Sequence, residues 1–124
     1  MTGPKRPVND LKDLVAWQVA IDLADAVYRS TRSFPKDETF GLRLQIRRAA
    51  VSVASNIAEG HGRVNRADYA RFAAIARGSL KEVETQILIA QRLAYFTSEQ
   101  STHLLSLTSH VNRLLTGLRR RLRQ

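Results

Sequence analysis

The 124-residue sequence contains no cysteine. That absence excludes a disulfide framework, thiol catalysis and thiolate metal sites, and it suits a reducing cytoplasm, the expected location. Proline occurs only at positions 4, 7 and 35, so none interrupts the long segment that follows. Aromatic residues make up 6% of the chain, and no RNA-recognition aromatic signature is present. No apolar run approaches the roughly 20 residues that span a bilayer, so no membrane partner is expected. The opening "MTGPKRPVND" has no apolar stretch after its charges and does not read as a secretory signal.

Acidic residues are also scarce. Eleven stand against 20 lysines and arginines, for a net charge of +9, and sixteen of the twenty bases are arginine. Residues 1–40 carry six bases and six acids; residues 41–80 carry seven and two, and residues 81–124 carry seven and three. The surplus therefore lies beyond the first forty positions. Arginine in excess points to phosphate partners, RNA or DNA, with a merely solvated basic surface as the competing reading.

What the chain has in quantity is helical periodicity. Hydrophobic residues make up 44%, enough for a core, and they recur three and four apart nearly throughout. Helices are expected over 13–31, 37–59, 66–95 and from 98 to the end. Pro35 and the acids after it mark the first turn, and Asn65 caps the third helix with Asp68 at its third position. "TSEQ" at 97–100 forms a capping box. Short connections between four helices imply an all-α, antiparallel up-down-up-down bundle over residues 13–124, with residues 1–12 as a flexible N-terminal arm.

The helical faces carry a further expectation. The fourth helix has a single apolar stripe, Leu104, Leu107, Val111, Leu114, Leu115, Leu118 and Leu122. The first is apolar over roughly two-thirds of its circumference, and the second has two apolar strips, one through Phe40, Leu44, Val51 and Ala58, the other through Leu42, Ile46, Ala50, Val53 and Ile57. Two apolar sides on one helix predict a second packing partner, and self-association is the expected one, with a tighter bundle carrying small alanines on its rim as the competing reading.

Catalytic patterns are missing. There is no Glu-x-x-His of a di-iron bundle, no zinc spacing, no P-loop and no Gly-x-Ser-x-Gly elbow, so no enzyme activity and no cofactor are expected. "NIAEGHGR" at 56–63 looks like a reaction centre but reads as a helix terminus, with Gly60 as a left-handed stop and His61 exposed in the loop. Gly78, inside the third helix, costs about 1 kcal/mol relative to alanine, which a close approach of another backbone would explain. Asn56, Glu59, Ser79 and Glu82 are candidates for a buried polar network that fixes helix register. The candidate nucleic-acid contacts are Arg43, Arg47 and Arg48, then Arg63 and Arg66, then Arg119, Arg120, Arg121 and Arg123 of "LRRRLRQ"; the last four also complement the helix dipole.

"DLVAWQVAIDLADAVYRSTRSFPKDETFGLRLQIRRAAVSVASNIAEGHGR" (13–63) and "FAAIARGSLKEVETQILIA" (72–90) resemble the family named for proteins encoded in intervening sequences of bacterial 23S ribosomal RNA genes. Trp17, "FP" at 34–35, "FGL" at 40–42, "RRAAVSV" at 47–53, "NIAEG" at 56–60 and "GS" at 78–79 carry the likeness. The resemblance implies a left-handed antiparallel four-helix bundle that assembles as a ring-like homopentamer. Nucleic-acid binding is the usual proposal for such basic chains, and a scaffold whose ring presents a surface to another protein is the alternative.

Overall fold

The computed structural model describes residues 11–124. Helix α1 runs Leu11–Ser30, α2 Leu42–His61, α3 Arg66–Arg92 and α4 Ser98–Leu122, with single 3₁₀ turns at Thr31–Ser33 and Lys36–Glu38. Each helix packs on two neighbours, α1 on α2 and α4, and α3 on α2 and α4. The long-range contacts show the antiparallel order. Arg47 near the start of α2 meets Tyr28 near the end of α1, and Arg66 at the start of α3 meets Arg121 at the end of α4. The expected four-helix bundle is present. Of the expected N-terminal arm, residues 1–10 lie outside the described residues, and α1 begins at Leu11, two residues before the expected start.

The core follows the helical periodicity. Leu23, Val27, Ile46, Val53, Ile57, Val83, Ile87, Leu104, Val111, Leu115 and Leu118 are fully buried. The caps form as their sequence implies. Asn65 accepts the backbone N–H of Asp68 at 2.8 Å. Thr97 Oγ1 accepts from Gln100 N at 3.0 Å while Gln100 Oε1 accepts from Thr97 N at 2.9 Å, which satisfies two otherwise orphaned donors.

Two helix boundaries differ from expectation for identifiable reasons. The second helix starts at Leu42 rather than 37, because residues 36–38 turn as a 3₁₀ helix and Gly41 sits outside helical geometry at φ −104°, ψ −119°. Glu38 then acts as a remote cap, its Oε1 accepting from Leu42 N at 2.7 Å. The third helix stops at Arg92 rather than 95, because Ala94 turns left-handed at φ 62°. Tyr95 N reaches Ala90 O at 2.8 Å and Ala94 N reaches Gln91 O at 3.0 Å, the paired bonds of a Schellman stop. Tyr95 then closes this end of the bundle. Its ring packs on Phe34 at 5.1 Å, and its hydroxyl donates to Glu38 Oε2 at 3.0 Å. That hydrogen bond, followed by burial and the negative charges of Glu38 and Asp37, holds the Tyr95 hydroxyl above the ordinary tyrosine range.

Candidate nucleic-acid interface

The up-down order sorts the nine candidate arginines by height. The α2–α3 connection and the last turn of α4 lie at the same end, because antiparallel helices return there. Arg63, Arg66, Arg119, Arg120, Arg121 and Arg123 therefore share one end. Arg66 Nη1 donates to Arg121 O at 2.8 Å, which ties the start of α3 to the last turn of α4 and satisfies a terminal carbonyl. Arg63 lies 3.5 Å from Glu59 and stacks over the Phe72 ring at 4.8 Å, while Arg71 covers the same ring at 4.6 Å. Arg120 and Arg123 are exposed; Arg119 and Arg121 are half-buried.

The other three candidates lie toward the opposite end, on the first turns of α2. Arg47 is engaged inside the chain. Its Nε donates to Thr31 Oγ1 at 2.8 Å, its Nη2 to Tyr28 O at 3.1 Å, and its guanidinium covers the Tyr28 ring at 4.5 Å. Thr31, fully buried, donates its own hydroxyl hydrogen bond to Val27 O at 2.8 Å. Arg47 thus clamps the end of α1 to α2 through its Nε and Nη2. Arg43 is half-buried on α2. Arg48 is exposed and lines a groove with Gln45, Ala49, Ser52, Glu82 and Gln86.

The polar network forms with a different membership from the four residues named by sequence. Ser79 and Ser52 hydroxyls lie 2.8 Å apart between α3 and α2, and Asn56 Nδ2 donates to Ser52 O at 2.8 Å and to Ser52 Oγ at 3.0 Å. Glu59 and Glu82 stand outside it, Glu59 beside Arg63 and Glu82 exposed. Ser52 was missed because its partner lies 27 residues away, a proximity that spacing along one helix does not reveal.

"NIAEGHGR" needs correction. Gly60 is helical, buried and without a positive φ; α2 continues to His61, and Gly62 ends it at φ −80°. What requires glycine at position 60 is contact. A Cβ there would lie 2.6 Å from Tyr69 Cδ1 and 3.1 Å from Phe72 Cβ, so Gly60 sits where α3 packs tightly against α2. His61 is half-buried, edge-on to Tyr69 at 6.3 Å. With Leu14, Trp17, Ile57 and Ala58 it lines a largely apolar cleft of about 170 Å³, where its Nδ1 has no hydrogen-bond partner among the described residues. Gly78 is corrected in the opposite sense. Apart from its own helix backbone and chain neighbours, nothing among the described residues comes within 4 Å of the position its Cβ would take.

Among the described residues no three of His, Asp and Glu gather as a metal ion would require, and no helix is long and apolar enough to cross a membrane. The fold and its composition define a basic four-helix bundle, with six of the nine candidate arginines at one end. The family model of the 23S rRNA-intervening sequence protein matches residues 12–117, and the chain belongs to that family. Among solved structures, it is similar to a protein of unknown function from the S23 ribosomal protein family of Bacteroides thetaiotaomicron. The two are 25% identical, with a TM-score of 0.80 over 88% of this chain and 98% of that one. No curated protein matches.

Proposed function

We propose that the chain is a non-enzymatic, self-associating cytoplasmic bundle that binds the phosphate backbone of RNA or DNA through its arginine-rich end. The observation that carries this reading is the gathering of Arg63, Arg66, Arg119, Arg120, Arg121 and Arg123 at one end, where Arg66 and the last turn of α4 are directly bonded. A guanidinium fork bonds two phosphate oxygens at once. Phe72, the ring beside Arg63, is already covered by Arg63 and Arg71, which favours contact to the backbone over stacking of bases on it. Self-association is supported by the apolar residues that the folded chain leaves uncovered on α1, with Leu14, Trp17, Ile21 and Tyr28 each at least 37% exposed. A homopentameric ring is the assembly implied by the family resemblance.

The test is titration of a labelled single-stranded RNA over a range of salt. About four phosphate contacts give a slope of log K on log salt of roughly −3. No binding at low salt would contradict the reading. A protein partner retained through nuclease and high salt, with no nucleic acid bound, would move it to an interaction scaffold.

A further inference from the structure

Helices α2 and α3 run antiparallel, and the hydrogen bond between Ser52 and Ser79 fixes their register. One turn further along brings Arg48 opposite Glu82, and the next brings Gln45 opposite Gln86. The first of these three levels is closed, with its hydroxyls 2.8 Å apart. The other two are open. Arg48 and Glu82 are exposed and line one groove, yet neither forms an ion pair among the described residues. Gln45 and Gln86 line the same groove, and Gln86 Oε1 is buried with no hydrogen-bond partner among the described residues. The groove has two adjoining parts of about 320 and 360 Å³, and it follows α3 from Gly78 to Ile89. At 1.5 Å per residue that is about 16 Å, the length of about five residues of extended chain. At Gly78 the wall is bare, and Ile75, one turn away on the same side of α3, is 43% exposed.

These features narrow the occupant. A glutamine amide carries the same donor and acceptor as a peptide bond and pairs with one. Arg48 and Glu82 stand at one level on opposite walls, and successive side chains of an extended chain point to opposite sides. An acidic residue directly beside a basic one therefore meets both charges. Gly78 lies one helical turn from Glu82, about 6 Å, which is two residues of extended chain. There the bare wall and Ile75 receive a bulky apolar side chain. A nucleic-acid strand suits this groove less well, because Glu82 repels phosphate and no aromatic ring is among the lining residues to stack a base. We propose that the α2–α3 groove binds a short extended segment of a partner protein, in which adjacent acidic and basic residues stand two positions from a bulky apolar one. This surface is distinct from the arginine-rich end and from the exposed apolar residues of α1, and its occupancy does not depend on phosphate binding.

The probes are capped, glycine-spaced peptides carrying glutamate next to lysine in either order, with leucine two positions before or after the pair. Binding to the full chain is followed by NMR, which suits weak complexes and reads the side-chain amides of Gln45 and Gln86 directly. The expected result is that these signals move and that one charge order binds at least about fivefold more tightly than the other. Arg48→Glu and Glu82→Lys should each weaken that peptide by about tenfold, the scale of a lost charge-assisted hydrogen bond. The double variant Arg48→Glu, Glu82→Lys should invert the preference between the two charge orders. Gly78→Leu should block binding while holding or raising the melting temperature, because leucine is the better helix former and the wall there is open. No shift with any peptide at about 1 mM would overturn the proposal. So would a charge-order preference that the double variant retains, or binding that survives Gly78→Leu. A single-stranded RNA that moves the Gln45 and Gln86 signals and displaces the peptide would overturn it in favour of nucleic acid.

Discussion

Replacing Gly60 by alanine sets two effects of opposite sign against each other. Alanine gains about 1 kcal/mol over glycine in a helix interior. Here the added Cβ would sit 2.6 Å from Tyr69 Cδ1, 3.0 Å from Cε1 and 3.1 Å from Phe72 Cβ. Tyr69 is fully buried, so its ring cannot retreat without moving α3. Overpacking of this kind costs about 1–3 kcal/mol. Both effects together leave Gly60→Ala destabilised by about 1 kcal/mol, and Gly60→Val by about 3 kcal/mol, since valine pushes two more methyl groups toward the same ring. At this chain length 1 kcal/mol moves the melting temperature by about 3–5 °C. The assay is thermal or urea unfolding at one protein concentration, because self-association makes stability depend on concentration. Gly117→Ala is the control: among the described residues its Cβ meets Arg121 Nη1 at 3.7 Å, an ordinary contact, so it should gain close to the full helical increment of about 1 kcal/mol. A Gly60→Ala variant as stable as the parent or more so would refute the close-crossing argument.

Arg47→Ala should destabilise the fold by about 1–2 kcal/mol, because the hydrogen bonds to Thr31 and to the Tyr28 carbonyl are both lost; urea unfolding measures it, and RNA affinity should change far less than for the end arginines. Ala94→Gly should stabilise by about 0.5–1 kcal/mol, since glycine takes the left-handed φ of 62° without the Cβ penalty, and an unchanged or lower midpoint would count against the Schellman stop. The raised Tyr95 hydroxyl makes an alkaline prediction. The folded state holds that proton more tightly than the unfolded chain, so its contribution is complete below the ordinary pKa of 10.0 and disappears as pH climbs through the higher folded value. Tyr95→Phe should remove that component of the alkaline loss, measured by unfolding across the pH range; an identical alkaline limb would contradict the Glu38 contact.

Helix count, order and both side-chain caps were legible because they depend on neighbours within one turn, as with Asn65 and Asp68 or Thr97 and Gln100. The uncovered faces of α1 and α2 were legible for the same reason, since periodicity alone exposes them. What escaped sequence reasoning depends on distant residues. Gly60 reads as a terminus until Tyr69 and Phe72 are seen against it. Arg47 reads as a candidate phosphate contact, and its hydrogen bond to Thr31, sixteen residues away, shows only in the fold. Ala94 is a strong helix former, and nothing local announces that it ends a helix. The candidate arginines were found individually, but their division into six at one end and three toward the other needed the antiparallel topology.

The central claim is that the arginine-rich end binds phosphate. It is tested most directly by comparing RNA binding of an Arg119→Ala, Arg120→Ala, Arg123→Ala variant with that of an Arg32→Ala, Lys36→Ala variant altered at the opposite end. The first should lose at least roughly tenfold in affinity and reduce the salt slope by about 2, the signature of lost phosphate contacts, while the second stays close to the parent. Equal loss in the two variants, or none in the first, would contradict the claim.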